Sequence, residues 1–240
     1  MNYFLSLHSF YVMSTDYFTF KRFVVHQQRC AMKVGTDGCL LGAWAHGGHQ
    51  ILDVGTGTGL IALMMAQRFP EAHVRAVDID AGAVAQAAEN VSVSPFYDRV
   101  DVEMSDFLTM DGKECYDAIV SNPPFFVDAL PCPDKQRMLA RHAVSLPYDG
   151  LVSQAQRLLT DEGEFSVIVP TENKQLMESA AALSGFVLAR SCAVKTTVKK
   201  QPRRYLLAFR KHLPDEFESS ELVIGSADYV LLMHDFYLKM

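Results

Sequence analysis

Cysteine is sparse and scattered in this chain. Cys30, Cys39, Cys115, Cys132 and Cys192 are odd in number and never fall in a C-x-x-C spacing, which argues against a zinc site or a disulfide framework and fits a reducing cytosol. No apolar run reaches the ~18 residues that a membrane helix needs. Positive charge is not in excess either. The formal net charge is −6, which excludes a protein that coats nucleic acid non-specifically, though not a local basic patch. The first dozen residues, Met1 to Val12, are apolar and aromatic but contain no Lys or Arg and no small-residue cleavage site. A signal peptide is therefore disfavoured. Residues 1–14 read as an N-terminal extension with Met13 as the expected native start, a point that the intact mass of the native protein decides.

What is present is the composition of a globular domain. Hydrophobic residues make up 49% of the 240 residues and charged residues 21%, enough for one well-formed core. No repeat, low-complexity tract or linker divides the chain, so residues 15–240 read as a single domain, with 15–48 as a segment covering the binding site. Phe18-Thr19-Phe20-Lys21-Arg22-Phe23 alternates rings with polar or basic residues, as a small N-terminal strand packing three rings does. In Met32-Lys33-Val34-Gly35-Thr36-Asp37-Gly38, Thr36 or Asp37 is the expected N-cap of a short helix.

From Gln50 the pattern is regular. Short apolar strands at 51–54, 74–77, 100–104, 117–120, 165–169, 187–194 and 204–209 alternate with helical segments. This predicts an α/β, Rossmann-like architecture: a mostly parallel seven-stranded sheet with helices on both faces. The informative loops then all follow the carboxyl ends of strands, the edge at which such sheets bind ligands.

Three sets of residues on that edge carry the chemistry. Gly55-Thr56-Gly57-Thr58-Gly59 follows the first strand and lets the backbone approach a ligand without Cβ atoms in the way. Asp78 ends the second strand at the distance expected of a ribose-binding acid, so the loop and acid together indicate an adenosine-containing ligand. Asp106 closes the third strand and can accept from an adenine amine; as a lone residue it reads equally well as a solvated turn aspartate. Asp53 precedes the glycines, where a carboxylate can bond loop N–H groups. Together these resemble the S-adenosylmethionine-dependent methyltransferase fold.

The third set is Ser121-Asn122-Pro123-Pro124-Phe125, a stiff exit from the fourth strand. It joins an amide acceptor to a ring, which suits a planar amine. An amine conjugated to a ring is a poor nucleophile. Acceptance of its two N–H groups by Asn122 and the Pro123 carbonyl draws the nitrogen toward tetrahedral geometry, while Phe125 stacks on the ring. Catalysis by positioning needs no metal, cysteine nucleophile or histidine base.

The resemblance of this loop to that of amino-methyltransferases implies one of two substrate classes, nucleobase amines or glutamine side chains. The basic segment holding Arg190, Lys195, Lys199, Lys200, Arg203, Arg204, Arg210 and Lys211 contains no acid and favours nucleic acid. A second group around Lys21 and Arg22 has rings interleaved. A third, Lys135, Arg137, Arg141 and His142, follows the Asn-Pro-Pro loop and could hold phosphates flanking a flipped base.

The runs Phe18–Lys21, Cys30–Gly38, Leu41–Trp44, Ile51–Gly59, Ser121–Phe126, Ala140–His142 and Asp235–Lys239 resemble the bacterial tRNA1(Val) (adenine(37)-N6)-methyltransferase family over residues 15–240. The resemblance implies a cytoplasmic, monomeric enzyme that uses S-adenosylmethionine and takes the anticodon arm of a tRNA as its partner. It implies Asn122, Pro123, Pro124 and Phe125 as catalytic. It also implies Thr36, Asp53, Gly55, Gly57, Gly59, Asp78, Asp106 and Asn122 as cofactor-binding, with Thr36 at the methionine end. Lys21, Arg22, Arg141, Lys195, Lys199, Lys200, Arg203 and Arg204 are the expected RNA contacts. Asp78 stands where a glutamate is frequent in the family, and Phe125 where a tyrosine is common. The rivals left open are an rRNA, DNA or protein-glutamine amino-methyltransferase, and a non-catalytic RNA-binding module with a relic cofactor pocket.

Overall fold

The computed structural model describes residues 16–30, 32–124 and 146–239. The short strands β1 (Tyr17–Thr19) and β2 (Val24–His26) form an antiparallel hairpin. Helix α1 (Thr36–Trp44) leads into the alternating body of the chain: β3 (Gln50–Val54), α2 (Leu60–Arg68), β4 (His73–Asp78), α3 (Ala81–Ser92), β5 (Val100–Met104) and β6 (Tyr116–Ser121). After the undescribed stretch come α4 (Tyr148–Leu158), β7 (Leu159–Pro170), α5 (Lys174–Leu183), β8 (Val187–Lys195), β9 (Arg204–Arg210), β10 (Glu218–Val223) and α6 (Ala227–Met233).

The main sheet has the order β10-β8-β9-β7-β6-β3-β4-β5. β7, β6, β3, β4 and β5 run parallel, and β9 is antiparallel to both of its neighbours. The sheet is thus α/β and mostly parallel as expected, with eight strands rather than seven. The additional strand is β10, whose sequence Glu-Ser-Ser-Glu-Leu-Val buries only Leu222. An edge strand with one buried residue carries almost no hydrophobic alternation for a sequence pattern to show.

Strands covered on both faces are apolar throughout, and the side-chain alternation divides them between two cores. Ile51, Ala118 and Val120 pack with α1 and α2, whereas Leu52, Val54 and Ile119 pack with α4 and α5. Helix α1 lies close on α2 because Gly38 and Gly42 present no Cβ; one added at Gly42 would meet Met64 at 2.9 Å. This approach brings the first turn of α1 beside the start of α2. Neither Thr36 nor Asp37 is its N-cap: Gly35 is, with no side-chain bond. Asp37 is instead held by an arginine, described below.

Two of the runs that carry the family resemblance, Phe18–Lys21 and Asp235–Lys239, meet in space. Phe20 bridges to Tyr237 and the rings stack with centroids 5.9 Å apart, while Lys21 N–H donates to the Phe236 carbonyl. Phe18, Phe20 and Phe23 do pack together as rings. No helix among the described residues is long and apolar enough to cross a membrane.

Candidate active site

The chain runs outward from β3 through β4 to β5, then returns to β6 on the other flank of β3. Such a reversal opens a crevice at the carboxyl ends of the two central strands. The glycine loop after β3 and Asn122 after β6 stand on its two sides, with Ser121 paired to Val54 and its Oγ donating to the Val54 carbonyl at 2.9 Å.

Gly55, Gly57 and Gly59 all adopt positive φ, at 70°, 57° and 80°, a region costly for other residues. A Cβ at Gly55 or Gly57 would enter open space with nothing within 4 Å, whereas at Gly59 it would press on Ala87 at 3.3 Å. The first two therefore border open space and the third permits close packing on α3. The loop is held by two acids. Asp78 Oδ2 accepts from Gly57 N–H at 3.0 Å and its Oδ1 from Asp80 N–H at 3.0 Å. Asp53 Oδ2 accepts from the Thr56 hydroxyl at 2.6 Å and from Ala62 N–H at 3.1 Å.

Asp53 is fully buried, and its Oδ1 has no hydrogen-bond partner among the described residues. Burial pushes its carboxyl up to about 7, against the opposing effect of the Thr56 and Ala62 bonds, and the charge of Asp78 adds to the rise. Asp106 is exposed at the same rim, capping a 3-10 turn by accepting from Leu108 N–H at 3.0 Å. Ser105 N–H donates to the Asp78 carbonyl, which holds Asp106 near the other acid.

Asn122 is half-buried, Pro123 buried and Pro124 exposed. The Asn122 Oδ1 is buried and has no partner among the described residues. A buried acceptor without a partner costs free energy, which makes this strand-end oxygen a candidate acceptor for a donor from a ligand. Phe125, Arg141, and with them Lys135, Arg137 and His142, lie outside the described residues.

Thr36 is exposed in the first turn of α1. Between β2 and α1 the chain crosses to the rim, held by amides that sequence reasoning missed. Asn90, fully buried in α3, accepts from His26 N–H and donates to the His26 and Thr58 carbonyls, each at 2.8 Å. Gln86 accepts from Arg29 N–H at 3.2 Å. Their only sequence signal is two amides a turn apart in an alanine-rich helix. Ile79, exposed directly after Asp78, was also missed; a half-exposed isoleucine on the rim offers an apolar face.

The expected RNA contacts separate in space. Lys199, Lys200 and Arg203 are exposed in the turn between β8 and β9, and the strand directions put that turn on the crevice edge. Thr171, just beyond β7, anchors it through bonds to the Pro202 and Arg203 carbonyls. Lys195 instead pairs with Glu221 at 2.7 Å, and Arg204 with Asp37 at 2.7 Å. Arg190, Arg210 and Lys211, from the same basic segment, pair with Glu164, Glu164 and Glu114. Lys21 and Arg22 lie on the opposite edge of the sheet, beside Gln67, Arg68 and Phe69 at the end of α2, around a cavity of about 600 Å³.

Residues 39–188 match the model of the methyltransferase small domain family. The tRNA1(Val) (adenine(37)-N6)-methyltransferase of Phocaeicola vulgatus is 49% identical over 95% of this chain and 100% of its own length. The protein of the same name from Tolumonas auensis is 41% identical, covering 93% of this chain and 97% of its own. Among solved structures, a predicted O-methyltransferase from Agrobacterium tumefaciens superposes with a TM-score of 0.60 at 16% identity, over 80% of this chain and 90% of that one. The [4+2]-cyclase SpnF does so at 0.55 and 16% identity, over 70% and 76%. That a cyclase shares the fold means that fold alone does not name the reaction. The sequence relatives do, and by them the chain belongs to the tRNA1(Val) (adenine(37)-N6)-methyltransferase family.

Proposed function

We propose that the protein transfers a methyl group from S-adenosylmethionine to the exocyclic N6 of an adenine in tRNA, adenine 37 of tRNA1(Val), acting as a monomer on the anticodon arm in the cytoplasm. The observation that carries the reading is the buried Asn122 Oδ1 beside the glycine loop, which has no partner among the described residues.

The residues fit the cofactor. The open space beside Gly55 and Gly57 accommodates a ligand in contact with the backbone, and the partnerless Asp53 Oδ1 provides a buried acceptor under the loop. Gly55, Gly57, Gly59 and Asp53 would hold its centre, Asp78 its ribose hydroxyls, Asp106 and Ile79 its adenine, and Thr36 its methionine end. S-adenosylmethionine, when bound, supplies an electrophilic methyl on a good leaving group.

The chain's own task is then to present a nucleophile. Asn122 Oδ1 and the Pro123 carbonyl accept the two N–H groups of the adenine amine, localising its lone pair. Pro123 sets its own φ, and Pro124 after it restricts the ψ that orients the Pro123 carbonyl. Phe125 stacks on the base and excludes water. Lys199, Lys200 and Arg203 hold phosphates next to a base drawn out of its stack.

Asn122→Ala tests the reading. Turnover on tRNA is expected to fall by about 10²–10³ while calorimetric affinity for S-adenosylmethionine is retained. Unchanged turnover would refute the role of this amide.

A further inference from the structure

Arg204 stands among the basic residues expected to touch RNA, but its surroundings give it a different task. Its Nε lies 2.7 Å from Asp37 Oδ2, across 167 residues of sequence, and its Nη1 donates to the Arg203 carbonyl at 2.9 Å. Both side chains are about a quarter to a third exposed, at 24% for Asp37 and 32% for Arg204. Asp37 follows Thr36 in the first turn of α1, whose N-cap, Gly35, makes no side-chain cap bond. Arg204 begins β9 and pairs with Val194 on one side and Pro170 on the other. It is thus fixed on both flanks by strands, while the turn bearing Asp37 has no cap of its own.

We infer that Asp37 and Arg204 form a positioning pair: the sheet-anchored guanidinium holds the first turn of α1, and with it Thr36, against the cofactor crevice, and does not serve as a phosphate contact. A partly exposed ion pair in water contributes little, but one closed by a charge-assisted bond onto an otherwise uncapped turn determines where that turn sits. This rests on the reading of the crevice as the S-adenosylmethionine site.

The two roles predict opposite consequences for Asp37. If Arg204 gripped phosphate, Asp37→Asn would free a positive charge and tighten RNA binding, whereas Arg204→Gln would weaken it and lower the salt slope by about one. If the pair positions α1, both variants weaken S-adenosylmethionine alike.

The test measures S-adenosylmethionine binding to the full chain by calorimetry without RNA, and tRNA binding across a salt series, for wild type, Asp37→Asn, Arg204→Gln and the double variant. The expected result is a rise of about five- to tenfold in the cofactor Kd for each single variant. The double variant is expected to be no worse than either single one, and the tRNA salt slope unchanged. Additive losses, an unchanged cofactor Kd, or a lowered salt slope in Arg204→Gln would overturn the inference. Should Arg204→Gln not fold, Asp37→Asn alone decides, by the sign of its effect on tRNA affinity and by its cofactor Kd. Wild type that binds no S-adenosylmethionine would refute the reading of the crevice, a result distinct from wild-type binding that the variants leave unchanged.

Discussion

Two buried carboxylates, one at each edge of the central sheet, are treated in opposite ways. Glu164, on β7 at the edge away from the crevice, is only 3% exposed. It receives Arg190 at 2.7 Å, Arg210 at 3.0 Å and His46 at 3.2 Å, and Arg190 in turn lies 4.0 Å over the ring of Trp44. Burial alone would push its carboxyl up; the bonds from His46 and Arg190 and their charges outweigh this and bring it down to about 2. Asp53, at the crevice, has no cation paired with it among the described residues. It has two neutral donors and an empty oxygen, and its carboxyl rises to about 7. The same chemical group is saturated where it only holds the fold together and left under-satisfied where a ligand is expected. Stability is given up at Asp53, where a ligand is expected, and kept at Glu164.

The comparison breaks most readily at Glu164. Glu164→Ala leaves Arg190 buried without its partner, and loss of one member of a buried pair costs about 3–5 kcal/mol. Denaturant melts should show that loss, with the affinity of the folded fraction for S-adenosylmethionine retained. A cost under about 1 kcal/mol would mean that the network is not structural.

At Asp53 the sign of the pH dependence is the diagnostic. Its raised carboxyl means that the folded chain holds an extra proton between the unfolded value of 3.8 and about 7. Its contribution to stability is therefore fullest below that window and is lost as pH rises through it. Glu164 runs the other way: its contribution is present above 4.5 and is lost as pH falls toward 2. Asp53→Asn should thus gain on wild type by about 2 kcal/mol between pH 5 and 8 while binding S-adenosylmethionine more weakly. A variant whose stability tracks wild type across that range would contradict the raised carboxyl.

The smallest effect concerns charge that neither carboxylate neutralises. Replacing Lys199, Lys200 and Arg203 together by Ala should leave melting unchanged and reduce the salt slope of tRNA binding by about two to three. An unchanged slope would remove this turn from the RNA surface.

The rim was legible in the sequence because its parts are local. Gly55 to Gly59, Asp78 and the Asn-Pro-Pro run each declare a backbone demand within a few residues, and alternating strands and helices order them along one edge. The opposite edge was not legible, since Glu164 sits in Asp-Glu-Gly-Glu-Phe with nothing nearby to show that Arg190, Arg210 and His46 converge on it. The basic segment misled for the same reason. It looked like one uncompensated surface, but Glu221, Asp37, Glu164 and Glu114, most of them distant in sequence, take up five of its eight cations. Only the turn at 196–203 kept the expected exposed character. The additional strand β10 was hidden by its polarity, and the cap of α1 by a glycine that bonds through no side chain.

The central claim is that the amine held by Asn122 belongs to adenine 37. Incubating the protein with S-adenosylmethionine and an unmodified tRNA1(Val), then measuring nucleosides and digested fragments by mass spectrometry, tests it most directly. N6-methyladenosine at position 37, absent with Asn122→Ala, is the predicted result. Methyl label that stays off the tRNA, or that appears on a nucleoside other than adenosine, would contradict it.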